Sequence, residues 1–402
     1  MSHPTATTLD AQSASLPASS LWSKSPIIGA VIGLLGLIGM FVTGSFHGEG
    51  LFAYLVAYLF FFSLAMGALF FVVIQHATRA GWSVVVRRLA EILSMGFPAL
   101  LVLFAPIAFG AHDLYHWTHL DEVAKDPILQ AKSGYLNMGF WLGRALFYLV
   151  ASSAYAWYFY SKSVKQDTNG DLAYSHATRG ASYPALPVLA LSVTFAAFDW
   201  SMSLDPHWFS TMFGVCFFAG GMIALLATLA IMGHSLKSAG PLAVVTTEHF
   251  HDIGKLLFGF TVFWSYVNFS QFMLIWYANI PEETMWFAHR WIEFGWDKFS
   301  IFLAVGHFAL PFFFLMTRHT KRNKVTLLIA SFWMLAMHYL DLFWQVMPTE
   351  QHHGPHFTAA HGLSMLMIGG FFFALVGVFL KKSSLVPVKD PRLSESLRFT
   401  NY

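Results

Sequence analysis

The sequence predicts an all-α integral membrane protein with about ten transmembrane helices, and three observations carry that prediction. Of its 402 residues, 56% are hydrophobic and only 11% are charged, whereas a soluble domain has about a quarter of its residues charged. Mean hydropathy is +0.56, so most of the chain meets lipid or another apolar helix. Its apolar runs are long and continuous rather than alternating, which excludes the strands of a membrane β-barrel.

The elements follow in chain order. Residues 1–25 are rich in Ser, Ala and Thr, with no basic region leading to a cleavage site. They read as a disordered cytoplasmic tail rather than a signal peptide. A bilayer core about 30 Å thick needs roughly 20 apolar helical residues to cross it. Such runs fall near 26–46, 50–76, 89–110, 137–161, 183–204, 208–235, 247–278, 293–317, 323–347 and 359–380. Together 26–380 make one membrane domain, and 381–402 is a second cytoplasmic tail.

Basic residues orient the helices. With the N-terminus in the cytoplasm, 17 of the 23 Lys and Arg fall in inner segments and three, Lys125, Lys132 and Arg290, in outer loops. That bias is what the positive-inside rule expects of an even number of helices with both ends inside. The outer loops are acidic, with Asp113, Asp121, Glu122, Asp126, Glu282 and Glu283.

A faint doubling relates the second to fifth runs (50–204) to the sixth to ninth (208–347). The first helix of each set ends in His76 with Arg79 or His234 with Lys237. The second carries Glu91 or Asp252 near its inner end, the third Arg144 or Lys298 near its outer mouth, and the fourth Asp199 or Asp341 toward its outer end. Internal duplication is common in membrane carriers and puts functional groups near the interface of the halves.

Ionisable residues in a membrane span need partners or a polar cavity. Glu248, Asp252 and Lys255 share a helical face, with His251 beside them, and Tyr266 returns to that face three turns on. Acid, imidazole, amine and phenol in such a stripe can pass protons from the cytoplasmic side; the competing reading is an ion-pair cluster that caps the helix. From outside, Arg144, Asp199, Lys298, His338 and Asp341 form a second polar set. It reads either as functional or as interfacial snorkelling, with Arg144 deep enough to pair with Asp199 or Asp341.

Cofactor chemistry finds little support. The lone cysteine, Cys216, excludes an intrachain disulfide, a four-cysteine iron–sulfur cluster and a CxxCH haem attachment. Of 19 histidines, His307 is mid-span and His338 lies nearer the outer side, which argues against haem b. His112, His116 and His119, and His352, His353 and His356, form two outer groups that read as contact surface, with adventitious zinc binding as the alternative. A net charge of +2 gives nucleic acid no support.

Two segments carry a family resemblance: FDWSMSLDPHWFSTMFG (198–214) and HFHDIGKLLFGFTVFWSYVNFSQFMLIWYANIPEET (249–284). They resemble the ActF-type membrane subunit of bacterial alternative complex III, in the NrfD-like (polysulfide-reductase membrane subunit) family. The first segment is shared with the sister ActC type, while the second is specific to this subunit type. The resemblance implies two four-helix bundles flanked by single helices, in a bacterial inner-membrane complex that oxidises quinol and delivers electrons to cytochrome c or a terminal oxidase. It implies an ActC-type sister subunit, and iron–sulfur and haem c subunits that hold the redox centres. This chain would bind none of these itself; quinone or quinol is its one candidate ligand. Matching positions are Asp199, His251, Asp252, Lys255, Tyr266 and Gln271; Glu91, Arg144, Lys298, His338 and Asp341 rest on placement alone. Three functions stay open: a proton-moving subunit, a structural anchor, and a subunit with its own quinol pocket near the outer face.

Overall fold

A computed structural model describes residues 12–401, and all regular structure among them is helical. Ten principal helices are α1 (Ser25–Val42), α2 (Glu49–Ala77), α3 (Val84–Phe109), α4 (Met138–Asn169), α5 (Leu172–Trp200), α6 (Phe213–Ser238), α7 (Thr247–Ala278), α8 (Asp297–Met316), α9 (Lys324–Val346) and α10 (Ala359–Lys382). Eight of them are long and apolar enough to cross a membrane, the mark of a multi-pass membrane protein. The other two, α4 and α7, are 32 residues long each, but Trp, Tyr, Ser and charged residues dilute their apolar content.

Side-chain and loop contacts divide the helix ends into two faces. On the basic face, Trp22 donates to Ser235, Arg87 pairs with Asp390, and Glu248 pairs with Arg322. On the acidic face, Tyr115 donates to the carbonyl of Trp200, Trp208 to that of Glu283, and Gln351 to Glu49. Successive principal helices run between these faces in alternating directions.

Helices α2 and α6 are buried along nearly their whole length. They cross where Gly67 meets the carbonyl of Gly221, an approach a side chain would block: a Cβ on Gly67 would lie 2.4 Å from that oxygen. Around α2 pack α3, α5 and α10; around α6 pack α7 and α9; α4 closes on α3 and α5, and α8 on α7 and α9. The flanking helices α1 and α10 pack against each other rather than on opposite sides. A Cβ on Gly36 would lie 2.4 Å from the backbone nitrogen of Met367, and one on Gly370 would lie 2.2 Å from that of Gly33. Small residues at such a seam let backbones approach and gain dispersion contact in lipid.

Both terminal segments pack against the helices where they are described. Of the expected disordered segment 1–25, residues 1–11 lie outside the described residues, but Ala14 is fully buried and its carbonyl accepts the Leu385 amide. The C-terminal segment 383–401 is equally packed. Leu385, Val386 and Leu393 are buried, Ser396 bonds His249 and Trp82, and Asn401 bonds Glu248 and Lys255. Apolar residues every few positions give both segments something to bury, which their polar composition obscured.

Candidate functional site

A polar cluster lies inside the second helix set, where α7, α8 and α9 meet α2. Asp341 on α9 is almost fully buried; Trp264 on α7 donates its indole N–H to Asp341 Oδ2 at 3.1 Å. No Lys, Arg or His nitrogen lies within 4.0 Å of this carboxylate among the described residues. One turn away, His338 is fully buried and its Nε2 bonds Ser63 Oγ at 2.8 Å, while Nδ1 has no partner. The anticipated His338–Asp341 contact is therefore replaced by separate bonds to α2 and α7. His307 faces Trp264 with ring centroids 3.8 Å apart, and neither ring nitrogen is bonded. It sits in a π-helical stretch, Ala304–Ala309, a wide turn that recurs at functional sites.

Buried polar atoms without partners are few in proteins and call for a reason. Here Ser63, Trp264, His307, His338 and Asp341 bring donors, acceptors and two imidazoles with unbonded nitrogens to one depth. Gly220 makes room for them, since a Cβ there would lie 2.7 Å from the His338 ring.

From Asp341 a polar route leads to the acidic face. Gln345 follows one turn on, and its carbonyl accepts Arg290 Nη2 at 2.8 Å. Arg290 is 2% exposed, also donates to the carbonyls of Trp286 and Trp344, and stacks 3.6 Å over the Trp286 ring. Burial pushes its guanidinium down toward about 9 while the charge of Asp205 pulls it back up. Arg290 borders a cavity of about 420 Å³ whose walls include Asp126, Asp205, His207, His289 and His352. Across it His207 hydrogen-bonds Asp126 at 2.5 Å and holds that carboxyl below its ordinary value.

The α7 stripe on the basic face is less buried than its spacing suggests. Glu248 is clasped by Arg322 through bonds of 2.5 and 2.7 Å. Asp252 and Lys255 form an ion pair, but the Lys255 side chain is 47% exposed and also reaches Asn401. The Lys255 end of the pair thus lies at the surface rather than in the interior. Tyr266 is 66% exposed: it returns to the face of Lys255, as three turns require, but that face points outward, and the interior face runs instead through Ile253, Leu257, Thr261, Trp264 and Gln271. His251 is buried, with an unbonded Nδ1. Between Asp252 and Trp264, α7 offers about 18 Å of mostly apolar surface.

The remaining anticipated residues separate. Arg144 and Asp199 pair within the first helix set through bonds of 2.9 and 2.7 Å, Tyr148 adds a third to Asp199, and Arg144 stacks on Tyr135 at 3.8 Å. Asp199 is fully buried and saturated. Glu91 is likewise filled, one oxygen accepting from Arg87 and the other from Arg88; these arginines continue to Asp390 and Asp167. Lys298 is exposed at the start of α8 and joins neither Arg144 nor Asp341, so the outer polar set is not one constellation. The pairing Arg144–Asp199 has no counterpart in Lys298–Asp341.

Sequence spacing missed Ser63, Trp264, Gln345 and the interior role of Arg290. Ser and Trp in an apolar run carry no charge to single them out. Arg290 precedes its helix in sequence and was counted with the outer loops. No group able to hold a metal ion occurs among the described residues. No protein-family model and no curated protein matches this chain, so the family resemblance rests on its two motifs.

Proposed function

We propose that this chain is the membrane subunit of a respiratory quinol oxidoreductase and provides a transmembrane proton pathway coupled to quinol oxidation by partner subunits. In this reading ten helices cross a bacterial inner membrane, with the basic face and both termini in the cytoplasm. The sister membrane subunit and the iron–sulfur and haem c subunits supply quinol chemistry and electron transfer.

The observation that carries the proposal is Asp341, a buried carboxylate with no cation beside it. A charge so placed costs several kcal/mol in low dielectric, so the neutral, protonated carboxyl is favoured and a proton it gives up must be taken by a neighbour and replaced in turn. His338 and His307 offer free ring nitrogens at the same depth, and Gln345 and Arg290 lead on to the acidic-face cavity. On the basic side Glu248, His251, Asp252 and Lys255 collect protons, and water must bridge from there to Trp264.

The saturated networks at Arg144–Asp199 and at Glu91 favour a second role in the same chain, anchoring. Both carboxylates have each oxygen bonded by arginine or tyrosine, which suits holding helices together. A chain that only anchors would leave coupling intact when Asp341 loses its titration. The test is the whole complex in liposomes with a pH-sensitive dye. Asp341→Asn keeps the bond from Trp264; electron transfer should persist while quinol-driven proton movement falls by about a hundredfold or more, the scale of losing a positioned proton-transfer group. Full coupling in the variant leaves the anchor reading standing.

A further inference from the structure

Between the α1–α10 pair and the basic-face end of α6 runs an open groove of about 790 Å³, the size of a small-molecule site. Its walls are apolar: Ile28 and Ile32 on α1, Phe61 on α2, and Leu366, Gly369 and Phe373 on α10. Ile28, Ile32 and Leu366 remain 46%, 36% and 48% exposed. From Ser25 to Ile32 the wall extends about 10 Å along α1, beyond a mouth built by Ser20, Trp22, Ser235 and Ser238, so its length is on the order of one leaflet of a bilayer core.

The mouth is polar and one-signed. Trp22 bridges the groove by donating its indole N–H to Ser235 Oγ at 2.8 Å, as interfacial indoles do. Lys324 reaches Ser238 Oγ at 3.3 Å. Lys24 and Lys237 flank the same end, and among the described residues no Asp or Glu lines the groove. Hydroxyls and lysines at the membrane surface, above an apolar slot one leaflet deep, match a phosphate and an acyl chain. Basic pockets between membrane helices on this side bind anionic head groups.

We infer that this groove is a site for an anionic phospholipid of the basic-face leaflet, its phosphate held by Ser235, Ser238 and Lys324 and one acyl chain laid along α1 and α10. The lipid would lie alongside the glycine seam, against Gly369 and Gly370. It would also support Phe61, whose neighbour Phe60 packs on His338 at 5.6 Å.

Native mass spectrometry of the purified full-length chain, delipidated and titrated with phosphatidylglycerol, phosphatidylcholine or a quinone, tests this. Phosphatidylglycerol should bind more tightly than phosphatidylcholine. Lys324→Gln should cut its affinity about fivefold, the worth of one lysine at an anionic surface, with Lys324→Arg restoring it, while Leu366→Trp should block binding by filling the slot. Lys324 and Leu366 are exposed, and Lys324→Gln alone decides the matter if the tryptophan variant fails to fold. Equal binding of the two phospholipids, indifference to Lys324→Gln, or displacement of phospholipid by the quinone in this groove would overturn the inference.

Discussion

Asp199 and Asp341 are both buried aspartates near the acidic face, and their surroundings give them opposite characters. Asp199 accepts three side-chain hydrogen bonds, two of them from Arg144. Among the described residues, Asp341 is met only by neutral donors, the Trp264 indole at 3.1 Å and the Gln345 side chain. Removing one member of a buried ion pair strands the other in low dielectric, so Arg144→Ala should cost about 3–5 kcal/mol. Arg144→Met combined with Asp199→Leu should recover most of that loss in thermal unfolding of the detergent-solubilised chain; an unrecovered double variant would show the pair to be more than a structural clasp. At the surface, the His207 bond holds the Asp126 carboxyl below its ordinary value of 3.8. A depressed carboxyl contributes stability that is present above the unfolded value and is lost as pH falls through the folded one. The contact between the 126 and 207 loops should therefore persist at pH 5 and loosen below about pH 4, measured as amide exchange at Ile128 and Leu129. His207→Ala should bring the carboxyl back up toward its ordinary value; an unchanged carboxyl titration would contradict the assignment. Spacing in the sequence marked both aspartates as intramembrane acids. What it could not reveal is which of them finds a cation, because that depends on helix rotation and on a partner 55 residues away in one case and on an exposed Lys298 in the other.

At the scale of elements, α7 separates what periodicity reveals from what it conceals. The i, i+4 and i+7 arrangement puts Glu248, Asp252 and Lys255 together as anticipated. Whether that face points inward follows from packing against α6, α8 and α9, and the interior is instead reached through Trp264, a residue with no charge to announce it. Six of the ten runs read from the sequence coincide closely with helices, and the fifth, 183–204, belongs to a helix that starts eleven residues earlier at Leu172. The third and eighth are broken locally, at Pro98 and Pro106 in α3 and by the π-helical stretch around His307 in α8, and the fourth extends eight residues further than its apolar part. The α1–α10 seam yields its own prediction. In Gly36→Leu the new side chain meets the Met367 backbone, which cannot retreat as a flexible side chain can. Overpacking of this kind costs about 1–3 kcal/mol. It should loosen α1, seen as faster proteolysis near Thr43, with α2 to α9 unaffected; unchanged proteolysis would mean that α1 and α10 do not pack through this seam.

For the whole molecule, the basic and acidic faces are the largest organising feature, and composition alone reveals it. Segments rich in Lys and Arg become one face tied together by Arg87–Asp390, Arg322–Glu248 and the packed C-terminal segment. Reporter fusions after Asp121 and after Glu283 should appear outside, and fusions after Arg88, Asp171 and Lys321 inside. A swapped side at any of these would contradict the ten-crossing topology. The polar interior lies on the acidic side of the midplane and is separated from the basic face by the apolar stretch of α7, so a proton crossing the whole molecule depends on water entering between Asp252 and Trp264.

The proposed pathway turns on whether Asp341 gains and loses a proton during turnover. Infrared difference spectroscopy of the complex on addition of quinol reads this directly, as the carbonyl stretch of a protonated carboxyl. The account predicts a carboxyl band that changes with quinol oxidation, shifts in deuterium oxide and disappears in Asp341→Asn while electron transfer continues. A band that survives Asp341→Asn unchanged, or no carboxyl change at all in the active complex, would contradict it.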